Sequence, residues 1–169
     1  MRERARPNPE ASQRSLKLWT GDLAGEKVRF TVLNDNTDST TAAKNTQKLI
    51  TEEKVDLILG SSLTPPSLAV VETAGQAGVP VISLAGGGAI VLPQEGPRKW
   101  AFKLSPTEQI SVTMVIDHVL KNKGKTIATI GVSNSYGEGF LKVTEQVAAA
   151  KGVKVVAVEK YAPTDQSVT

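Results

Sequence analysis

The stretch that most constrains the fold is residues 55–88, VDLILGSSLTPPSLAVVETAGQAGVPVISLAGGG. It reads as strand, polar turn, helix, strand, polar turn. Residues 55–59 form a short apolar run ended by Gly60. Ser61, Ser62, Thr64 and Ser67 then place hydroxyls at the start of a helical segment. Pro65 and Pro66 suit its first turn, where amides have no intrahelical acceptor. Leu68, Val71 and Ala74 recur at intervals of three, Gly75 and Gly78 weaken and end the helix, and residues 79–84 return as a strand. Parallel strands joined by a helix bring both following turns to the carboxyl edge of one sheet, where open α/β sheets bind ligands. Turns 60–64 and 85–88 are therefore the leading local site candidates.

The rest of the chain continues this alternation. Residues 27–33, KVRFTVL, alternate about Val28, Phe30 and Val32 as a strand does. They end in polar Asn34, Asp35, Asn36 and Asp38. Asp38 or Ser39 can cap the helix STTAAKNTQKLITEE, whose buried stripe is Ala42, Ala43, Thr46, Leu49 and Ile50. Residues 89–92 read as a short helical turn, 93–97 as a loop and 100–104 as a further extended segment. Residues 107–120 are helical, with Ile110, Met114, Val115 and His118 or Val119 at helical spacing. A strand at 126–132, a turn SNSYGEG at 133–139, a helix marked by Phe140, Val143, Val147 and Ala150, and a strand at 153–158 complete the pattern. Short strands alternating with helices predict an α/β fold with parallel-sheet, three-layer construction.

Composition narrows the function. The chain has 169 residues, a formal charge of +3 and no cysteine, so disulfides and thiolate chemistry are excluded. Basic residues are spread among acids and aromatics are few, which argues against a nucleic-acid partner. No apolar run is long enough for a membrane span. MRERARPNPEASQRS lacks an apolar region after its charges and reads as a disordered tail over 1–15, not a secretory signal. Leu16, Leu18 and Trp19 suit the last turn of a helix.

Catalytic constellations are missing. AGGG at 85–88 lacks the Lys–Ser/Thr of a phosphate loop, and YGEGF does not follow the first strand as a dinucleotide fingerprint should. His118, the one histidine, reads as a partly exposed helical residue. Asp35 and Asp38 suit turn and cap hydrogen bonds better than metal or acid–base work. Serines without a positioned base are not activated nucleophiles. No enzyme activity, metal or cofactor is expected. Thr64 can either cap the helix or hold a carboxylate beside early helix amides. Tyr136 can pack or face a ligand, and Glu138 suits a helix start.

Taken together, VRFTVLNDNTDSTTAAKNTQKLITEEKVDLILGSS, AGVPVISLAGG, RKWAFKLSP and SYGEGFLKVTEQVAAAKGVKVVAVEKYAPTD resemble the branched-chain (leucine-binding-like) amino-acid-binding proteins of ABC importers, the type I periplasmic-binding fold. The resemblance covers residues 16–167. It implies two α/β lobes closing on a small ligand, with delivery to membrane permease subunits and periplasmic or extracellular residence. Residue by residue it implies that Thr64 holds a ligand carboxylate, that Ala85, Gly86 and Gly87 form the head-group turn, and that Tyr136 closes over the ligand with Ser135 beside it. Ser62 and Asp35 fall near the cleft. Gly87 departs from the family's Ser/Thr and cannot offer its side-chain bond. Against the family pattern, the first strand and most of lobe two are missing: residues 16–104 match most of lobe one and 105–169 the beginning of lobe two. As written the chain lacks an export signal and would stay cytoplasmic. The leading expectation is a substrate-binding component for an amino acid or related small carboxylate. The alternatives are a truncated non-binding fragment and a ligand-sensing domain.

Overall fold

The computed structural model describes Gly25 and residues 27–165. The expected tail at 1–15 and the helical turn at Leu16–Trp19 lie outside the described residues. Two units divide the chain, Met1–Leu33 and Asn34–Thr169. In the first, residues 27–33 are not assigned as a strand, and Phe30 and Val32 are exposed. The alternation expected to mark a strand there sorts side chains onto two faces without by itself making a strand.

The second unit runs α1 (Ser39–Thr51), β1 (Ile58–Leu59), α2 (Thr64–Gln76), β2 (Val81–Ser83), β3 (Ala101–Lys103), α3 (Glu108–Lys121), β4 (Thr126–Val132), α4 (Ser135–Ala150) and β5 (Lys154–Tyr161). Short 3₁₀ turns at Gly88–Ile90 and Gly96–Trp100 lie between β2 and β3. Strands β1-β2-β3 form one parallel sheet and β4-β5 another. Parallel strands flanked by helices give the α/β fold expected from the alternation. Ladder pairing matches Ile58 with Val81 and Ser83 with Lys103. Among the described residues no helix is long and apolar enough to cross a membrane.

Each sheet has its own core. Ala42, Ile58, Val70, Val71, Ala74 and Val81 pack around the first, and Val112, Ile116, Val147, Ala148 and Val153 around the second. Helix α3 corrects the expected face. Glu108, Val112 and Ile116 point inward, while Ile110, Met114 and Val115 are more than half exposed and His118 is exposed. Two apolar stripes run along this helix, and spacing alone does not choose between them. Packing against α4 selects the Val112–Ile116 stripe. Helix α4 likewise starts at Ser135, inside the segment expected to be a turn, and buries Leu141, Thr144, Val147 and Ala148.

Asp38 caps α1, as expected, accepting from the Thr41 amide and hydroxyl at 2.7 Å each. The Thr41 hydroxyl bond, then the amide bond, hold its carboxyl below the usual 3.8. A carboxylate depressed by folding contributes stability above its unfolded pKa and loses it as pH falls through the folded value. Asp38→Asn keeps a good capping residue. Its melting temperature is expected to fall less than that of the parent between pH 5 and pH 2.5, as thermal melts across that range will report.

Candidate functional site

The polar turns at the carboxyl ends of β1, β2 and β4 converge on one cleft of about 520 Å³. That volume lies within the roughly 300–1,000 Å³ typical of small-ligand sites. Ser62, Thr64 and Gly86 line one wall, and Val132, Asn134 and Tyr136 the other. Among the described residues, no Asp, Glu, Lys, Arg or His side chain lines it.

Thr64 opens α2 and is 2 % exposed. Its Oγ1 accepts the Gly87 amide at 3.2 Å. A hydroxyl that accepts one bond still has its proton to donate. Pro65 and Pro66 take up the next two helix positions, so the first turn offers fewer amides for an anion than the expected helix start implied. The hydroxyl, more than the helix terminus, is what this corner can present to an acceptor.

The glycine turn is held from three directions. Besides the Thr64 bond to Gly87, Lys103 Nζ donates to the Gly86 carbonyl at 2.5 Å and to the Pro106 carbonyl at 3.3 Å. The Gly88 amide donates to both Glu108 carboxylate oxygens at 2.8 and 2.7 Å. Burial lowers the Lys103 pKa, and the Glu108 charge opposes that shift. Glycine is required at position 87 by close approach, since a Cβ there would sit 2.5 Å from Thr64 Cγ2; one on Gly88 would sit 2.7 Å from Glu108 Oε2, the movable end of a long side chain. The vacant side-chain position at Gly87 is thus filled by Thr64.

Tyr136, in the first turn of α4, lays its ring against Gly86, where a Cβ would lie 3.1 Å from Cε2. The ring also neighbours Phe140, at 6.1 Å between centroids and tilted by 54°. Asn134 caps α4, its Oδ1 accepting the Tyr136 and Gly137 amides at 3.0 and 3.2 Å.

The structure brings four of the predicted residues, Ser62, Thr64, Gly86 and Tyr136, to the cleft lining. Ala85 is buried behind it, its amide bonded to Ser83 Oγ, and Gly87 is buried beneath Thr64. Ser135 is exposed outside the lining. Asp35 accepts the Thr37 amide at 2.9 Å and so shapes a turn whose Thr37 lines the cleft. Sequence reading missed Lys103, Glu108 and Asn134. For Asn134 the signal was available, an Asn directly before a helix start. For Lys103 and Glu108 none was, because their partners lie about 20 positions away.

A family model described as periplasmic binding protein matches residues 8–169. The chain is similar to an extracellular ligand-binding receptor from Rhodopseudomonas palustris HaA2, with 36% identity and a TM-score of 0.87 over 95% of this chain and 44% of that one. A solute binding protein of an ABC transporter from Rhodopseudomonas palustris BisB5, in complex with 3,4-dihydroxy benzoic acid, is 27% identical, with a TM-score of 0.78 over 90% of this chain and 41% of that one. A leucine binding protein from Thermotoga maritima MSB8 shares the fold at 21% identity, with a TM-score of 0.80 over 94% of this chain and 44% of that one. A search of curated proteins finds no match. The chain spans less than half the length of these solved structures. The three are described as binding proteins or receptors, in agreement with a non-enzymatic reading, but they do not single out branched-chain amino acids. The chain belongs to the periplasmic binding protein family, with the type I fold of extracytoplasmic ligand-binding receptors.

Proposed function

We propose that the chain is the substrate-binding part of an ABC importer, acting outside the cytoplasm and holding a small carboxylate between its two sheets for delivery to permease subunits. Within the amino-acid-or-carboxylate class, the cleft favours a carboxylate with an apolar or aromatic body and no ammonium group. The observation that carries this is the lining: hydroxyl and amide donors beside Leu63, Val132 and Tyr136, with no carboxylate side chain among the described residues to receive a cation. A desolvated ammonium there would have no counter-charge. A carboxylate can be satisfied by neutral donors, whose bonds to an ionised acceptor are about twice as strong as neutral ones. The relative in complex with 3,4-dihydroxy benzoic acid supports the same class.

Isothermal titration calorimetry against benzoate, 3,4-dihydroxybenzoate, phenylacetate, leucine and phenylalanine tests this. At least one aromatic carboxylate is expected to bind more tightly than both amino acids by roughly tenfold or more, the scale of one charge-assisted hydrogen bond. Tighter binding of leucine or phenylalanine would restore the amino-acid reading. Silence across the panel would count against a small-carboxylate site.

A further inference from the structure

We propose that Asn134 is a specificity-determining residue, its Nδ2 donating to the ligand carboxylate from the wall opposite Thr64. The inference rests on the small-carboxylate reading above and adds to it a named donor. Asn134 lines the cleft together with Ser62, Thr64 and Tyr136. Both bonds of its side-chain oxygen are made to its own helix, to the amides of Tyr136 and Gly137. Those two contacts fix the orientation of the carboxamide, because the oxygen and not the nitrogen must meet two N–H donors. The NH₂ group is thereby left on the other side of the side chain, and among the described residues it donates to no partner.

The arrangement does two things with one residue. The oxygen starts α4, and in doing so it pre-orients the nitrogen before any ligand arrives. Thr64 meets the same condition on the facing wall, since its oxygen accepts Gly87 N and its proton is left to donate. The two sides of the cleft thus each offer a neutral donor whose geometry is set by a backbone amide. A carboxylate has two oxygens to satisfy and matches this pair. A primary amide replaces one of those oxygens with a donor and does not.

The cap and the donor can be separated by mutation. Asp caps helices as well as Asn, and its charge suits the N-terminal end of the helix dipole. Asn134→Asp therefore keeps the cap while replacing the outward NH₂ with an oxygen that repels a carboxylate. Calorimetry on the parent chain and on this variant, with benzoate against benzamide and 3,4-dihydroxybenzoate against its amide, provides the test, alongside thermal melts. The expected result is an unchanged or raised melting temperature, a loss of roughly tenfold or more for the carboxylates, and little change or a gain for the amides. Asn134→Ser, which caps without adding charge, covers the case in which Asp disturbs folding; it is expected to lower carboxylate affinity with the fold intact. If the parent binds a carboxylate and both variants bind it equally well, the donor role is overturned while the small-carboxylate reading stands. If the parent binds neither carboxylate nor amide, both fall together.

Discussion

Gly137→Ala is expected to destabilise the protein by about 3 kcal/mol or more, at the upper end of what a single overpacked methyl group does. The added Cβ would lie 1.9 Å from the Val132 carbonyl oxygen, 2.9 Å from its carbon and 3.0 Å from its nitrogen. All three are backbone atoms at the end of β4, so no side-chain rotation relieves the contact, and α4 must move away from the strand. Conformation is not the obstacle, because Gly137 is helical and alanine is the better helix former by about 1 kcal/mol. That preference works in the opposite direction and is outweighed. The displacement would also carry off Asn134 and Tyr136, which flank the glycine at the cleft. Ligand binding should therefore fall with stability. Urea unfolding of the variant beside Gly139→Ala provides the comparison. A Cβ on Gly139 meets only the Glu108 side-chain oxygen, at 3.2 Å, and that variant is expected to stay within about 1 kcal/mol of the parent. Equal midpoints for the two alanine variants would show that α4 does not rest on β4 as closely as described.

This contact also explains why the second half of the fold was harder to read than the first. In residues 55–88 each local signal pointed the same way: β-rich runs, prolines at a helix start, glycines at its end. The alternation there matches β1, α2 and β2 with small shifts of boundary. In SNSYGEG the glycines read as turn residues because glycine weakens helices. Here Gly137 is placed by its approach to a strand, which no local pattern reports. Helix α3 fails in another way, through two competing apolar stripes whose choice depends on α4. The cleft was legible as far as it follows from the carboxyl-edge rule: Ser62, Thr64, Gly86 and Tyr136 follow strands that run parallel. Lys103 and Glu108 were not, since they act on the glycine turn from β3 and the start of α3, at separations of 17 and 20 residues.

The second large effect is expected at Gly87, where the resemblance implies a hydroxyl-bearing residue. Gly87→Ser should cost about 1–3 kcal/mol and weaken carboxylate binding, although serine is what relatives are expected to carry there. Backbone conformation permits the change, with φ −61° and ψ 128° at Gly87. Space does not, because the new Cβ falls 2.5 Å from Thr64 Cγ2 and 2.7 Å from its Oγ1. Thr64 is buried and β-branched, so it has few rotamers to retreat into. Thr64→Ala should also be costly, by about 1–3 kcal/mol, since it leaves the buried Gly87 amide without its acceptor. Combined, the two substitutions move one hydroxyl across the contact instead of adding or deleting one. The serine Cβ then enters space vacated by the threonine branches. The double variant should therefore be more stable than the sum of its parts, with a favourable coupling of about 1–3 kcal/mol in a double-mutant cycle. Additive losses in denaturant unfolding would show that Thr64 and Gly87 do not share this space. A favourable coupling would mean that the glycine does not leave the turn poorer by a hydroxyl, because the hydroxyl of this corner is carried by the facing helix.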